Sequence, residues 1–91
     1  MNEVYIIVNP KVSGDPLIVV KNNIVDAITV AKVMLVSTPE DKMSYMAIKM
    51  MVEKDKTEQG ETLQQLKETG RCRFKNGESS IWIFYIDKNK G

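Results

Sequence analysis

Five side chains near the C-terminus are of the types that could do chemistry together: Arg71, Arg73 and Lys75 in one alternating run, Trp82 and Phe84 in the next. Basic and aromatic residues interleaved on a sheet can hold single-stranded nucleic acid, because bases stack on rings while Arg or Lys meets phosphate. The competing reading is structural. Arg71 and Arg73 can lie on the aromatic rings of their own sheet and keep their charged ends in water. With no ribonucleoprotein consensus present, the structural reading is favoured. Cys72 sits between the two arginines, which would lower its pKa if they were close. Strand neighbours point to opposite faces, so Cys72 is expected beside Phe74 and Ile81 as an inert small hydrophobe.

Other chemistry is sparse. Glu40 and Asp41 are adjacent and Asp15 is isolated, so no acid/base pair or metal cluster is recognisable. The chain has no histidine, which removes the commonest general base and the Cys/His zinc sites. A P-loop, a dinucleotide fingerprint and a nucleophile elbow are all missing from the sequence. The reading is of a protein that is not an enzyme and takes no cofactor or metal. Met43, Met46, Met50 and Met51 read first as core filler and second as an adaptable partner surface.

Composition sets the outer bounds. At 91 residues, 43% hydrophobic and 27% charged, the chain reads as one small globular domain spanning positions 1–91. Thirteen basic against twelve acidic residues leave +1, too little for strong steering to nucleic acid or an anionic membrane. The start Met-Asn-Glu-Val-Tyr has no basic segment before its apolar run and does not read as a signal peptide. No apolar run reaches the ~18 residues of a membrane span. A single cysteine cannot form an internal disulfide, and a reducing, cytoplasmic setting is expected.

The elements that must position these side chains are organised around the run Ile81-Trp82-Ile83-Phe84-Tyr85-Ile86. Its β-branched and aromatic residues favour a central strand that wants both faces out of water. Val4 to Val8 reads as a first strand ended by Asn9-Pro10. Lys11 to Pro16 reads as a turn in which Gly14 takes positive φ, and Leu17 to Val20 as the return arm. From Asn22 the period changes: Asn22, Asp26, Thr29 and Lys32 form a polar stripe opposite Ile24, Ala27, Ile28, Ala31, Met34 and Leu35. This predicts an amphipathic helix from about Ile24 to Val36, with Asn23 as N-cap and Asp26 returning a hydrogen bond to it.

Ser37 to Lys56 is ambiguous. Thr38-Pro39-Glu40-Asp41 is a helix start, and Met43, Met46, Ala47, Met50 and Met51 then make a helical stripe. Read as a strand, Met46, Ile48, Met50 and Val52 alternate with Tyr45, Ala47, Lys49 and Met51. Propensity leans to helix. Topology favours a strand from about Ser44 to Lys54, returning parallel to a neighbour after the helix. Lys54 to Glu61 reads as a charged loop, Thr62-Leu-Gln-Gln65 as the capping box of a short peripheral helix, and Gly70 as its C-cap. Asn76-Gly77 predicts a type I′ hairpin, pairing Lys75 with Glu78, Phe74 with Ser79, Arg73 with Ser80, Cys72 with Ile81 and Arg71 with Trp82. Lys88 to Gly91 reads as a frayed tail. The expected fold is α+β: a mixed sheet of about five strands in the order ββαβαββ, one long amphipathic helix on one face and a short peripheral helix.

The segments Asn-Asn-Ile-Val-Asp-Ala-Ile-Thr-Val-Ala-Lys, from position 22, and Thr-Leu-Gln-Gln-Leu-Lys-Glu-Thr-Gly, from position 62, give a layout that resembles small α+β accessory proteins of bacteriophages and prophages. The resemblance implies an accessory role such as binding and modulating a host protein. It carries over no functional residue.

Three strands apolar on both faces and one good helix leave the sheet short of cover. Exposing a large apolar side chain forgoes about 1.5 to 3 kcal/mol. The sequence therefore points to a binding module that forms a homo-oligomer, most simply a dimer, or takes a protein partner through the bare sheet face. Binding of single-stranded nucleic acid through Arg71, Arg73, Lys75, Trp82 and Phe84 is the alternative, and no membrane partner is expected.

Overall fold

A computed structural model describes residues 3–10 and 14–88. The chain runs β1 (Glu3–Asn9), β2 (Leu17–Lys21), α1 (Ile24–Val36), α2 (Lys42–Lys54), α3 (Lys56–Thr69), β3 (Arg71–Asn76) and β4 (Ser79–Asp87). Among the described residues the fold is α+β, with four strands rather than five and three helices in sequence. The sheet order is β2-β1-β4-β3 and every neighbouring pair is antiparallel. Lys11 to Ser13 of the expected first turn, and Asn89 to Gly91 of the expected tail, lie outside the described residues. Gly14 takes the predicted positive φ, at 93°.

The run Ile81–Ile86 lies in a central strand, as its composition requires: β4 pairs with β1 on one side and β3 on the other. Direct pairing of the first and last strands removes the need for a strand between the helices. The expected parallel strand at Ser44–Lys54 is instead α2, so propensity prevails over the topological argument. Asp41 caps α2, its carboxylate accepting from the Ser44 backbone N–H at 3.2 Å and the Ser44 hydroxyl at 2.9 Å. The expected loop after Lys54 is helical as well. Asp55 ends α2 and caps α3, accepting from the Glu58 N–H at 2.9 Å. Thr62 is therefore a buried mid-helix residue and not a cap. Gly70 closes α3 in the left-handed region, at φ 80°.

α1 starts as predicted. Asn23 accepts from the Asp26 N–H at 2.9 Å and donates to its carboxylate at 2.8 Å. Its polar stripe does not stay in water, however. Thr29 is fully buried, its hydroxyl donating to the Val25 carbonyl at 2.7 Å. Ala27, Val30, Ala31 and Met34 face a core made with Tyr5, Ile7, Leu66, Cys72, Ile81 and Ile83. Ile28 and Val33, displaced around the helix, are buried too. α1 packs against the sheet as well as α2 and α3. Two ion pairs tie these helices to it: Lys49 to Asp26 at 3.3 Å and Lys32 to Glu58 at 2.8 Å.

The last hairpin pairs Asn76 with Ser79, Lys75 with Ser80, Phe74 with Ile81, Arg73 with Trp82, Cys72 with Ile83 and Arg71 with Phe84. Gly77, at φ 63°, takes the first central position of the turn, and Glu78, which has negative φ, the second. That is the arrangement of a type II′ turn, in place of the expected I′ turn on Asn76-Gly77. The pairing shifts by two residues along β4. Because side chains alternate with a period of two, the shift keeps every residue on its expected face.

Gly60 lies inside α3 on its exposed side, and a Cβ added there meets nothing within 4 Å. A mid-helix glycine costs about 0.5–1 kcal/mol relative to alanine. Gly60→Ala should raise the urea midpoint by that equivalent without changing the slope; an unchanged or lower midpoint would contradict a helix through position 60.

Candidate binding surface

All the buried strand residues point toward the helices: Tyr5 and Ile7 from β1, Cys72 from β3, Ile81 and Ile83 from β4. Their alternating neighbours form the opposite face. Register sets two rows across it. One runs Ile18, Val8, Trp82, Arg73, and the other Val20, Ile6, Phe84, Arg71, with Val4 beside Ile86. Among the described residues no helix blankets this face: Ile18 is 55% exposed, Val20 60%, Phe84 38% and Ile86 47%. The aliphatic side chains occupy β2 and β1, the rings β4, and the cations the β3 edge. Outward strand positions among the described residues carry no carboxylate.

The five residues singled out by sequence thus share a face. Trp82 and Phe84 lie nearly parallel, centroids 6.2 Å apart with 19° between planes. The guanidinium of Arg71 sits 5.8 Å from the Trp82 centroid and that of Arg73 5.6 Å. This is the intramolecular stacking expected of arginines beside aromatic rings. Lys75 pairs with Ser80, further along the edge from the rings. Alternation along β4 already put Ile86 beside Trp82 and Phe84, whereas Ile6, Val8, Ile18 and Val20 were not attached to this surface from the sequence. Their alternation was visible, but joining them to the C-terminal hairpin needs the β1–β4 pairing.

α2 presents a second exposed apolar strip. It packs inward through Tyr45, Ile48 and Val52, while Met43, Met46, Met50 and Met51 lie in water, Met43 at 85% exposure. The helical spacing of the methionines was legible and their assignment to the core was not correct. α2 packs on α1 and α3 rather than on the bare sheet face.

Glu3, Tyr5, Tyr85 and Cys72 are held on the helix side of the sheet by local contacts. Glu3 accepts from Tyr5 at 3.1 Å and Tyr85 at 3.3 Å, the two rings lying 5.4 Å apart. Burial, reinforced by the Glu3 carboxylate, pushes both phenols above their ordinary range, so they stay protonated donors. Cys72 is buried, its thiol 3.6 Å from Gln65 Oε1. Burial pushes the thiol up, with the Glu58 charge adding to it and the Arg73 backbone N–H opposing. Such a thiol is a poor nucleophile. Among the described residues no three His, Cys, Asp or Glu side chains come together to hold a metal ion.

Two outcomes follow from these environments. Native protein should resist alkylation of Cys72 at neutral pH and react fully once unfolded in urea, read by intact mass; rapid native labelling would contradict the buried thiol. Burial raises the Asp26 carboxyl, but hydrogen bonds from Asn23 and Lys49 outweigh it and hold the group below the ordinary range. Its stabilisation is present above the unfolded aspartate pKa and is lost as pH falls through the lower folded value. Asp26→Asn should flatten the acid limb of a melting-temperature profile below about pH 4; an unchanged limb would rule out this carboxylate as a contributor.

No family model, curated protein or solved structure matches this chain.

Proposed function

We propose that this chain is a small non-catalytic binding protein that works through the outer face of its sheet, by pairing with a second copy or by docking on the apolar face of a protein partner. The supporting observation is the bare aliphatic half: Ile18, Val20 and Ile86 stand about half exposed beside Ile6, Val8 and Phe84 on one continuous sheet surface. Completing the burial of such side chains contributes about 1 kcal/mol each, and an apolar surface of this kind is characteristic of association sites. An accessory protein that modulates a host partner is the role in keeping with the phage-like layout.

Single-stranded nucleic-acid binding is the second reading, favoured by the parallel Trp82 and Phe84 rings beside Arg71 and Arg73. It makes less use of the aliphatic half, and the guanidiniums already lie over Trp82.

Light scattering across a concentration range separates the cases. The 10.3 kDa chain should approach twice its mass as concentration rises, and Val20→Lys should return it to monomer with its melting temperature retained. A strict monomer that binds no apolar dye would defeat the face as an association site. Steeply salt-dependent oligonucleotide binding lost in Trp82→Ala would favour the second reading.

A further inference from the structure

The sheet ends at β3, and the alternation of backbone bonds along it is fixed by the Tyr85 N–H donating to the Gly70 carbonyl at 3.0 Å. In an antiparallel pair, alternate residues bond the neighbouring strand. The Gly70 C=O, and both the N–H and C=O of Cys72, Phe74 and Asn76, therefore turn toward β4, the Gly70 N–H being taken by the Leu66 carbonyl at 2.8 Å, while Arg71, Arg73 and Lys75 turn theirs to the open edge. The Thr69 hydroxyl covers the first of these, donating to the Arg71 carbonyl at 2.8 Å and lying 3.4 Å from its N–H. Arg73 and Lys75 present theirs outward.

The two sides of this edge differ chemically. On the outer side stand Arg71, Arg73 and Lys75, none of them ion-paired to a carboxylate among the described residues. On the helix side, a groove of about 420 Å³ runs beside Phe74 and Lys75, with Leu35, Ile48 and Met51 in its walls. A strand added here would send alternate side chains to these two places.

We propose that the β3 edge binds an extended segment of a partner protein in which acidic residues alternate with apolar ones. The acidic side chains would meet the cationic row and the apolar ones would enter the groove beside Phe74. Main-chain bonds to Arg73 and Lys75 supply affinity, and the two alternating environments supply selectivity. A second copy does not suit this edge, because pairing β3 with β3 sets Arg and Lys against Arg and Lys, and directly opposed like charges destabilise a strand pair. The inference concerns the edge and does not rest on association through the sheet face.

The test uses capped peptides of about eight residues, the length of a strand: one alternating Glu with Val, one alternating Lys with Val, and one of Glu alone. Trp82 fluorescence reports binding, the chain having a single tryptophan, and amide exchange reports its place. The Glu/Val peptide should bind saturably and slow exchange at Arg73 and Lys75, and both controls should bind more weakly. Arg73→Glu and Lys75→Glu should each weaken binding by about tenfold, with melting temperatures held. The monomeric Val20→Lys variant should bind as the parent does, so that failure of the edge and failure of face association remain distinguishable. Equal binding of the Lys/Val peptide, or protection confined to β2, would overturn the proposal. So would an oligodeoxythymidylate that displaces the peptide and leaves the edge amides unprotected.

Discussion

The packing of α1 governs the architecture. Its polar positions are confined to Asp26, Thr29 and Lys32, and the rest of its surface needs cover on more than the one side a sheet can supply. β1, β3 and β4 take the side bearing Ala27, Val30, Ala31 and Met34. α2 and α3 close over the remainder, with Asp26 and Lys32 neutralised by Lys49 and Glu58. A helix apolar most of the way round belongs inside a protein. Supplying that interior draws all three helices to one side of a single sheet, so the bare sheet face is a consequence of burying α1.

That division gives the two halves of the outer face different physical work. Aliphatic contact on β2 and β1 is non-directional and scales with area removed from water. It sets how much an association can contribute and says little about its geometry. In the binding proposed for it, the β3 edge would contribute through charge and backbone direction, which discriminate between partners more than they add affinity. Cations along an edge strand also guard against indiscriminate pairing. Arg71 and Arg73 fulfil this while resting on Trp82, where stacking keeps their long side chains ordered.

What was legible in the sequence follows the range of the interactions involved. The Asn23 cap, the Gly70 C-cap and the extent of α1 depend on residues a few positions apart, and they are written locally. The face assignment of the hairpin survived an error in its turn because a slip of two preserves parity. Thr29 read as solvated because its burial comes from the tertiary packing of α1 against other elements, which the polar spacing within the helix does not report. Residues 56–61 hid their helix because charged residues and Gly60 dominate, and only Thr62, Leu63 and Leu66 bear on the core. In α2 the period was visible but its phase was not. Methionine fits a core or a surface equally well, so which stripe turned inward was decided by Tyr45, Ile48 and Val52 meeting the neighbouring helices.

The helical character of 42–54 also removes a simple route to a self-sufficient sheet. Helical cover for the second face would have to come from this segment, since α3 is held beside β3 by the turn at Gly70 and α1 by its short connection to β2. α2 is joined to α1 through positions 37–41, and Asp41 holds that link by accepting from Ser37 at 2.9 Å as well as from Ser44. At its other end Asp55 alone separates it from α3. Anchored at both ends to helices on the inner side, α2 cannot reach around the sheet. Among the described residues no helix is placed to cover Ile18, Val20, Phe84 and Ile86.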